Sequence, residues 1–89
     1  MVLVRLSTPL RVHSGGKAEV ESEGRTLREV IHHLDGRCPG LGAKVLANGS
    51  INRFINIFIN NEDVRFLEDL ETPVGPGDVV SILPAVSGG

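Results

Sequence analysis

Between Thr26 and Leu34 the chain carries its one long stretch of helical periodicity, and that stretch constrains everything around it. Thr26-Leu27-Arg28-Glu29 has the spacing of a capping box, in which the threonine caps the first helical amides and the glutamate reaches back. Leu27, Val30, Ile31 and Leu34 follow at i, i+3, i+4 and i+7 and form a single apolar stripe. Gly36 suits the left-handed residue that closes a helix, and Pro39 bars its continuation. A lone amphipathic helix of about ten residues must lay its stripe on some other element.

The other long apolar segments alternate at period two and read as strands. Val2, Val4 and Leu6 alternate with Leu3, Arg5 and Ser7. A turn between Pro9 and Gly16 leads to Lys17-Ala18-Glu19-Val20-Glu21, the return strand of a hairpin. Leu41 to Leu46 reads as a short helical turn and Ala47-Asn48-Gly49-Ser50 as a loop. Phe54 to Asn60 places Ile55, Ile57 and Ile59 on one face and Phe54, Asn56, Phe58 and Asn60 on the other. Asn60-Asn61-Glu62-Asp63 reads as a tight turn, after which Val64-Arg65-Phe66 pairs back briefly. A Gly75-Pro76-Gly77 turn precedes the last strand, Val79-Val80-Ser81-Ile82-Leu83, which Pro84 is expected to end.

The predicted order is β-β-α-β-(β)-β, an α+β architecture with a mixed sheet of four to five strands covered by one main helix. If the first and last strands lie side by side in the centre, the sheet is a β-grasp. Residues 1–83 form this one domain, and 84–89 a flexible tail ending in Gly-Gly. Eighty-nine residues support one core and no second domain.

Charge and composition exclude several function classes. Net charge is −2, which argues against nucleic acid as a partner. Three phenylalanines and no Trp or Tyr argue against a base-stacking platform. No apolar run is long enough to span a membrane, and the start lacks the pattern of a signal peptide. One cysteine precludes an internal disulfide and fits a reducing cytoplasm. Charge is unevenly spread: residues 1–61 hold eight Lys/Arg against five Asp/Glu, whereas residues 62–89 hold Arg65 against six acids. That acidic stretch can steer docking onto a basic partner or serve only as a solvated surface.

Catalytic candidates are weak. Cys38 has Arg37 beside it and His32 and His33 a turn or more away, yet no oxyanion-hole motif accompanies it, which favours an inert cysteine. Adjacent His32 and His33 diverge by about 100° on a helix, a poor geometry for a shared metal. No metal site and no catalytic residue is assigned. Ser14-Gly15-Gly16 and Gly75-Pro76-Gly77 do not match a phosphate-cradling loop and read as turns.

The sequence ends in Val86-Ser87-Gly88-Gly89. Glycine lacks a Cβ, so such a tail can thread a narrow channel in conformations closed to other residues. Six residue steps separate Leu83 from Gly89, a reach of ~20 Å when extended. A carboxylate is a poor electrophile, so chemistry at Gly89 requires activation by another enzyme, for which a mixed anhydride with AMP is the expected form.

The predicted order, Gly77-Asp78-Val79-Val80 at the start of the last strand, and Leu83-Pro84-Ala85-Val86-Ser87-Gly88-Gly89 resemble the ubiquitin-like sulfur carriers. Arg53 to Phe66 and Leu10-Arg11-Val12-His13-Ser14-Gly15-Gly16 are similar to the branch used in thiocarboxylate-dependent cysteine biosynthesis. The resemblance implies that an E1-like enzyme with ATP and Mg²⁺ adenylates the Gly89 carboxylate and that a sulfur donor converts it to a thiocarboxylate. It further implies a PLP-dependent cysteine synthase and a zinc peptidase of the JAMM type as partners. ATP, PLP and zinc then belong to those enzymes. The chain itself is a monomeric carrier without a bound cofactor, not an enzyme. Ser87 stands where the family often has alanine or threonine, and it keeps the tail thin.

By the same resemblance, Phe58, Leu83 and Val86, with Phe54 beside them, form an apolar docking patch at the tail's root, unless a loop or the Phe66 segment covers it. Within the carrier class, molybdopterin, a thiolated tRNA base and other sulfur metabolites are alternative acceptors. A lysine-conjugated protein modifier and a plain β-grasp interaction module are the readings outside it.

Overall fold

The computed structural model describes residues 1–85. Strands β1 (Val2–Leu6) and β2 (Glu19–Ser22) form the expected antiparallel hairpin, with Val4 opposite Val20. Their connection is more ordered than a turn. Residues Thr8–Ser14 form a 3-10 helix with Pro at its start, closed by Gly15 at φ 68°. This connector buries Leu10 in the core, which gives it a reason to be helical.

Helix α1 (Leu27–Arg37) begins at the capping box. The Glu29 amide donates to Thr26 Oγ1 at 3.3 Å, and the glutamate side chain reaches back one residue further than expected, accepting from the Arg25 amide at 3.0 Å. The strand-like segment 72–74 holds this end too: Leu27 N–H donates to Thr72 O and Val74 N–H to Arg25 O. Gly36 does not close the helix. The Cys38 amide donates to Leu34 O at 2.8 Å, and the cysteine side chain is buried in the core. The left-handed residue is instead Gly40, at φ 92°, which leads into α2 (Leu41–Val45).

The 47–50 segment, expected as a loop, is a two-stranded hairpin of β3 (Leu46–Ala47) and β4 (Ser50–Ile51). Its turn residues Asn48 and Gly49 both have positive φ, as a tight hairpin requires. Strand β5 (Ile55–Ile59) turns through Asn60 and Asn61, both again at positive φ, into the two-residue β6 (Glu62–Asp63). Val64–Phe66 do not pair back. Asp63 caps them through its side chain, accepting from the Arg65 amide at 2.9 Å, and the segment winds into a 3-10 helix.

Strand β7 (Val79–Pro84) completes the sheet, whose order is β2-β1-β7-β5-β6. β1 and β7 run parallel in its interior, and every other pair is antiparallel. Leu27, Val30, Ile31 and Leu34 pack with Val2, Val4, Leu6, Ile55, Ile57, Ile59, Val80 and Ile82 in one core. A hairpin, a helix across one face and a parallel central pair make the ubiquitin-like β-grasp.

Pro84 does not end the ladder. It pairs with Ile55, and beyond it the Ala85 amide donates to Phe54 O at 2.7 Å. The bonded pairs flanking it orient the Pro84 nitrogen away from β5, toward the side on which β1 has already ended. A missing N–H costs little there.

Candidate functional site

The two faces of β5 and β7 part as the alternation predicts. Ile55, Ile57, Ile59, Val80 and Ile82 are buried toward α1. The residues between them form the opposite face. There the antiparallel register sets Asn56 beside Leu83, Phe58 beside Ser81, and Phe54 beside Ala85. Phe54 is 60% exposed and Leu83 40%, both high for large apolar side chains. The Arg53 guanidinium carbon lies 4.9 Å from the centre of the Phe54 ring, a cation–π contact.

Phe58 departs from the sequence expectation. It lies on the outward face but is half-buried, because β6 extends the sheet past it: Phe58 sits between Ser81 on one side and Asp63 on the other. Phe66 does not cover the patch, being itself 88% exposed. The structure thus brings Phe54, Phe58 and Leu83 onto one face. Val86, Gly88 and Gly89 lie outside the described residues.

Two features of this face were not singled out from the sequence. The Ala85–Phe54 hydrogen bond carries the pairing one residue past Pro84, and the Arg53–Phe54 contact sits beside it. The first needed the strand register, which periodicity does not supply. The second had a visible signal in the adjacent Arg-Phe pair, but no indication that the two would stack.

Asp78, at the other end of β7, holds the sheet's start. Its carboxylate accepts from the Gly75 amide at 2.8 Å and from Asn60 Nδ2 at 2.9 Å, while Asn60 Oδ1 accepts from the Val79 amide at 2.9 Å. Donation from the Gly75 amide first, and from Asn60 second, lowers the Asp78 pKa below the usual carboxylate value. Asp63 is lowered likewise, chiefly by the Arg65 amide.

The weaker candidates are placed as follows. Cys38 is buried, and desolvation pushes its thiol pKa up against the opposing pull of Arg37 and Lys17, the reverse of an activated nucleophile. His33 Nδ1 lies 3.2 Å from Ser22 Oγ, while His32 is exposed. No group of three or more potential metal ligands occurs among the described residues. A groove of about 580 Å³ between α1 and α2, lined in part by Ile31, His32, Asp35 and Leu46, lies on the helical side of the sheet. Among the described residues no helix is long and apolar enough to cross a membrane.

Comparison with known proteins agrees with the geometry over the whole chain. The Mycobacterium tuberculosis protein named Sulfur carrier protein CysO is 43% identical, covering 99% of this chain and 98% of its own. A chain in the crystal structure of the Amycolatopsis orientalis BexX/CysO complex superposes with a TM-score of 0.95 at 44% identity, covering all of both chains. The small archaeal modifier protein 1 of Methanosarcina acetivorans superposes at 0.85 with 34% identity, covering 99% and 95%. The ThiS family model matches residues 4–89, and the chain belongs to the ThiS family.

Proposed function

We propose that this chain is a sulfur carrier protein serving cysteine formation, a carrier handled by enzymes rather than a catalyst. The observation that carries the reading is the full-length likeness to the mycobacterial Sulfur carrier protein CysO. The tail's attachment supports it. Ala85, the last described residue, is tied to Phe54 at the edge of an exposed apolar face, beside the surface proposed to be recognised.

In this reading a Gly89 carboxylate oxygen attacks the α-phosphorus of ATP on an E1-like enzyme, and pyrophosphate leaves. A sulfur nucleophile then displaces AMP from the acyl carbon and leaves a thiocarboxylate. Its sulfur is the better nucleophile at neutral pH and stays tethered to the carrier. It adds to an acceptor that a PLP-dependent enzyme prepares from an activated serine. An S-to-N acyl shift leaves cysteine joined to Gly89, and a zinc peptidase releases it. Phe54, Phe58, Leu83 and Val86 are the residues proposed to meet the activating enzyme.

The test is mass spectrometry of the full chain incubated with an E1-like adenylating enzyme, ATP and a sulfur donor. A gain equal to replacing one oxygen by sulfur is expected at Gly89. No gain with an enzyme active on another carrier overturns the reading. Likeness to the small archaeal modifier protein favours a second reading, conjugation of Gly89 to lysines of other proteins. Lysine remnants ending in this chain's Gly-Gly, recovered under denaturing conditions, would decide for it.

A further inference from the structure

Two buried side-chain polar atoms among the described residues have no hydrogen-bond partner, Ser7 Oγ and Asn56 Oδ1. They are far apart in sequence and close in the sheet. Leu6 pairs with Ile82 in the parallel ladder, and the Ser7 amide donates to Ile82 O at 3.2 Å, so the next residue pair along is Ser7 and Leu83. Across the antiparallel ladder Leu83 pairs with Asn56. Ser7, Leu83 and Asn56 therefore form one row on the face turned away from α1, with the exposed leucine in the middle. Two strand spacings put the outer positions roughly 10 Å apart.

Buried polar groups are satisfied in the great majority of folded proteins, and an unsatisfied one is destabilising. Ser7 has no local role that accounts for its hydroxyl: it precedes the Thr8–Ser14 helix but makes no side-chain capping bond. Asn56 holds no turn, unlike Asn60 with its bonds to Asp78 and Val79. A strand position beside Leu83 would accept threonine or valine with better strand propensity.

The remaining length of chain says what comes to this row. Four residues follow Ala85, and they span at most ~14 Å. Any enzyme that takes the Gly89 carboxyl into its active site must bring its surface to within that distance of Ala85, which is bonded to Phe54 at the border of the row.

We propose that Ser7 and Asn56 are hydrogen-bonding positions reserved for the enzyme that acts on Gly89: no protein group among the described residues pairs with Ser7 Oγ or Asn56 Oδ1, and docking over Leu83 supplies their partners. This rests on the outer face being the docking surface and adds the polar specificity that an apolar patch lacks. The partner surface has an apolar contact for Leu83 and Phe54, a donor for Asn56 Oδ1, and a hydrogen-bonding group for Ser7 Oγ. A purely apolar competitor could fill the leucine contact but would leave both polar atoms buried and unpaired, which is how such a row discriminates.

The experiment compares the full chain with S7A, N56L and S7T. Urea unfolding of each carrier alone is expected to give S7A and N56L midpoints equal to or above the parent. A lowered midpoint for both would mean that the groups are already satisfied in the free fold, and the proposal fails. Titration calorimetry with the E1-like adenylating enzyme is expected to show each of S7A and N56L binding about tenfold more weakly, with S7T close to the parent. Undiminished affinity in S7A and N56L overturns the proposal while leaving the carrier function intact. A parent chain that is thiocarboxylated yet loses no affinity when Leu83 is replaced by threonine places docking elsewhere and overturns it as well.

Discussion

The two faces of the β5–β7 ladder are built from the same ten residues or so and obey opposite rules. Toward α1, Ile55, Ile57, Ile59, Val80 and Ile82 are β-branched, buried and packed with the helix stripe, and only Pro84 at the end of β7 is exposed. Away from α1 the sheet alternates Phe54, Asn56 and Phe58 with Leu83 and Ser81, partly exposed and partly buried, with polar atoms left unpaired. The first face is what a small domain needs in order to fold. The second is poorer than folding alone would select, since the exposed Phe54 ring and the unpartnered Asn56 amide oxygen contribute nothing to stability. The difference points to a partner that completes the outer face.

Four substitutions would break or sharpen that contrast, beginning with the largest effect. Ile57→Ala on the buried face removes side-chain packing at a fully enclosed position, and urea unfolding should show a loss of about 2–5 kcal/mol. Carrier function should then fall only as far as the folded population does. Leu83→Thr on the open face should behave in the opposite way. Its unfolding free energy should stay within ~0.5 kcal/mol of the parent, because threonine keeps strand propensity, while affinity for the activating enzyme falls about tenfold. If Leu83→Thr destabilises as strongly as Ile57→Ala, the two faces do not differ in kind.

Thr26→Ala probes the helix that creates the buried face. Loss of the cap to the Glu29 amide should lower stability by about 1 kcal/mol and leave docking untouched. Asp78→Asn should give the smallest change, and one that depends on pH. The folded-state pKa of Asp78 is depressed, so its carboxylate stabilises the fold above the unfolded value of about 3.9 and that contribution is lost as pH falls through the folded value. Urea midpoints at neutral pH and near pH 3 should therefore differ less in the asparagine variant than in the parent.

Much of the buried face was legible in the sequence. The capping box and the spacing of Leu27, Val30, Ile31 and Leu34 located α1, and the alternation of Ile55, Ile57 and Ile59 assigned the inward side of β5 correctly. Such signals are local, and burial reads directly as periodicity. The failures were of two sorts. Gly36 and Val64–Phe66 were misread because local options compete on small energies: burial of Cys38 extends the helix, and the Asp63 cap diverts the chain from pairing. Phe58 and Pro84 were misjudged because each depends on which strand lies alongside, β6 in one case and the end of β1 in the other.

The sequence by itself determined the main helix, the principal strands and the face on which the core forms, since each follows from residue chemistry within about a dozen positions. Only the tertiary structure decided that β1 and β7 lie side by side, that Ala85 is held against Phe54, and that Ser7 and Asn56 flank Leu83. The physical reason is register: pairing between strands that are more than seventy residues apart is set by the sum of all packing around the helix, and no short window of sequence contains that sum.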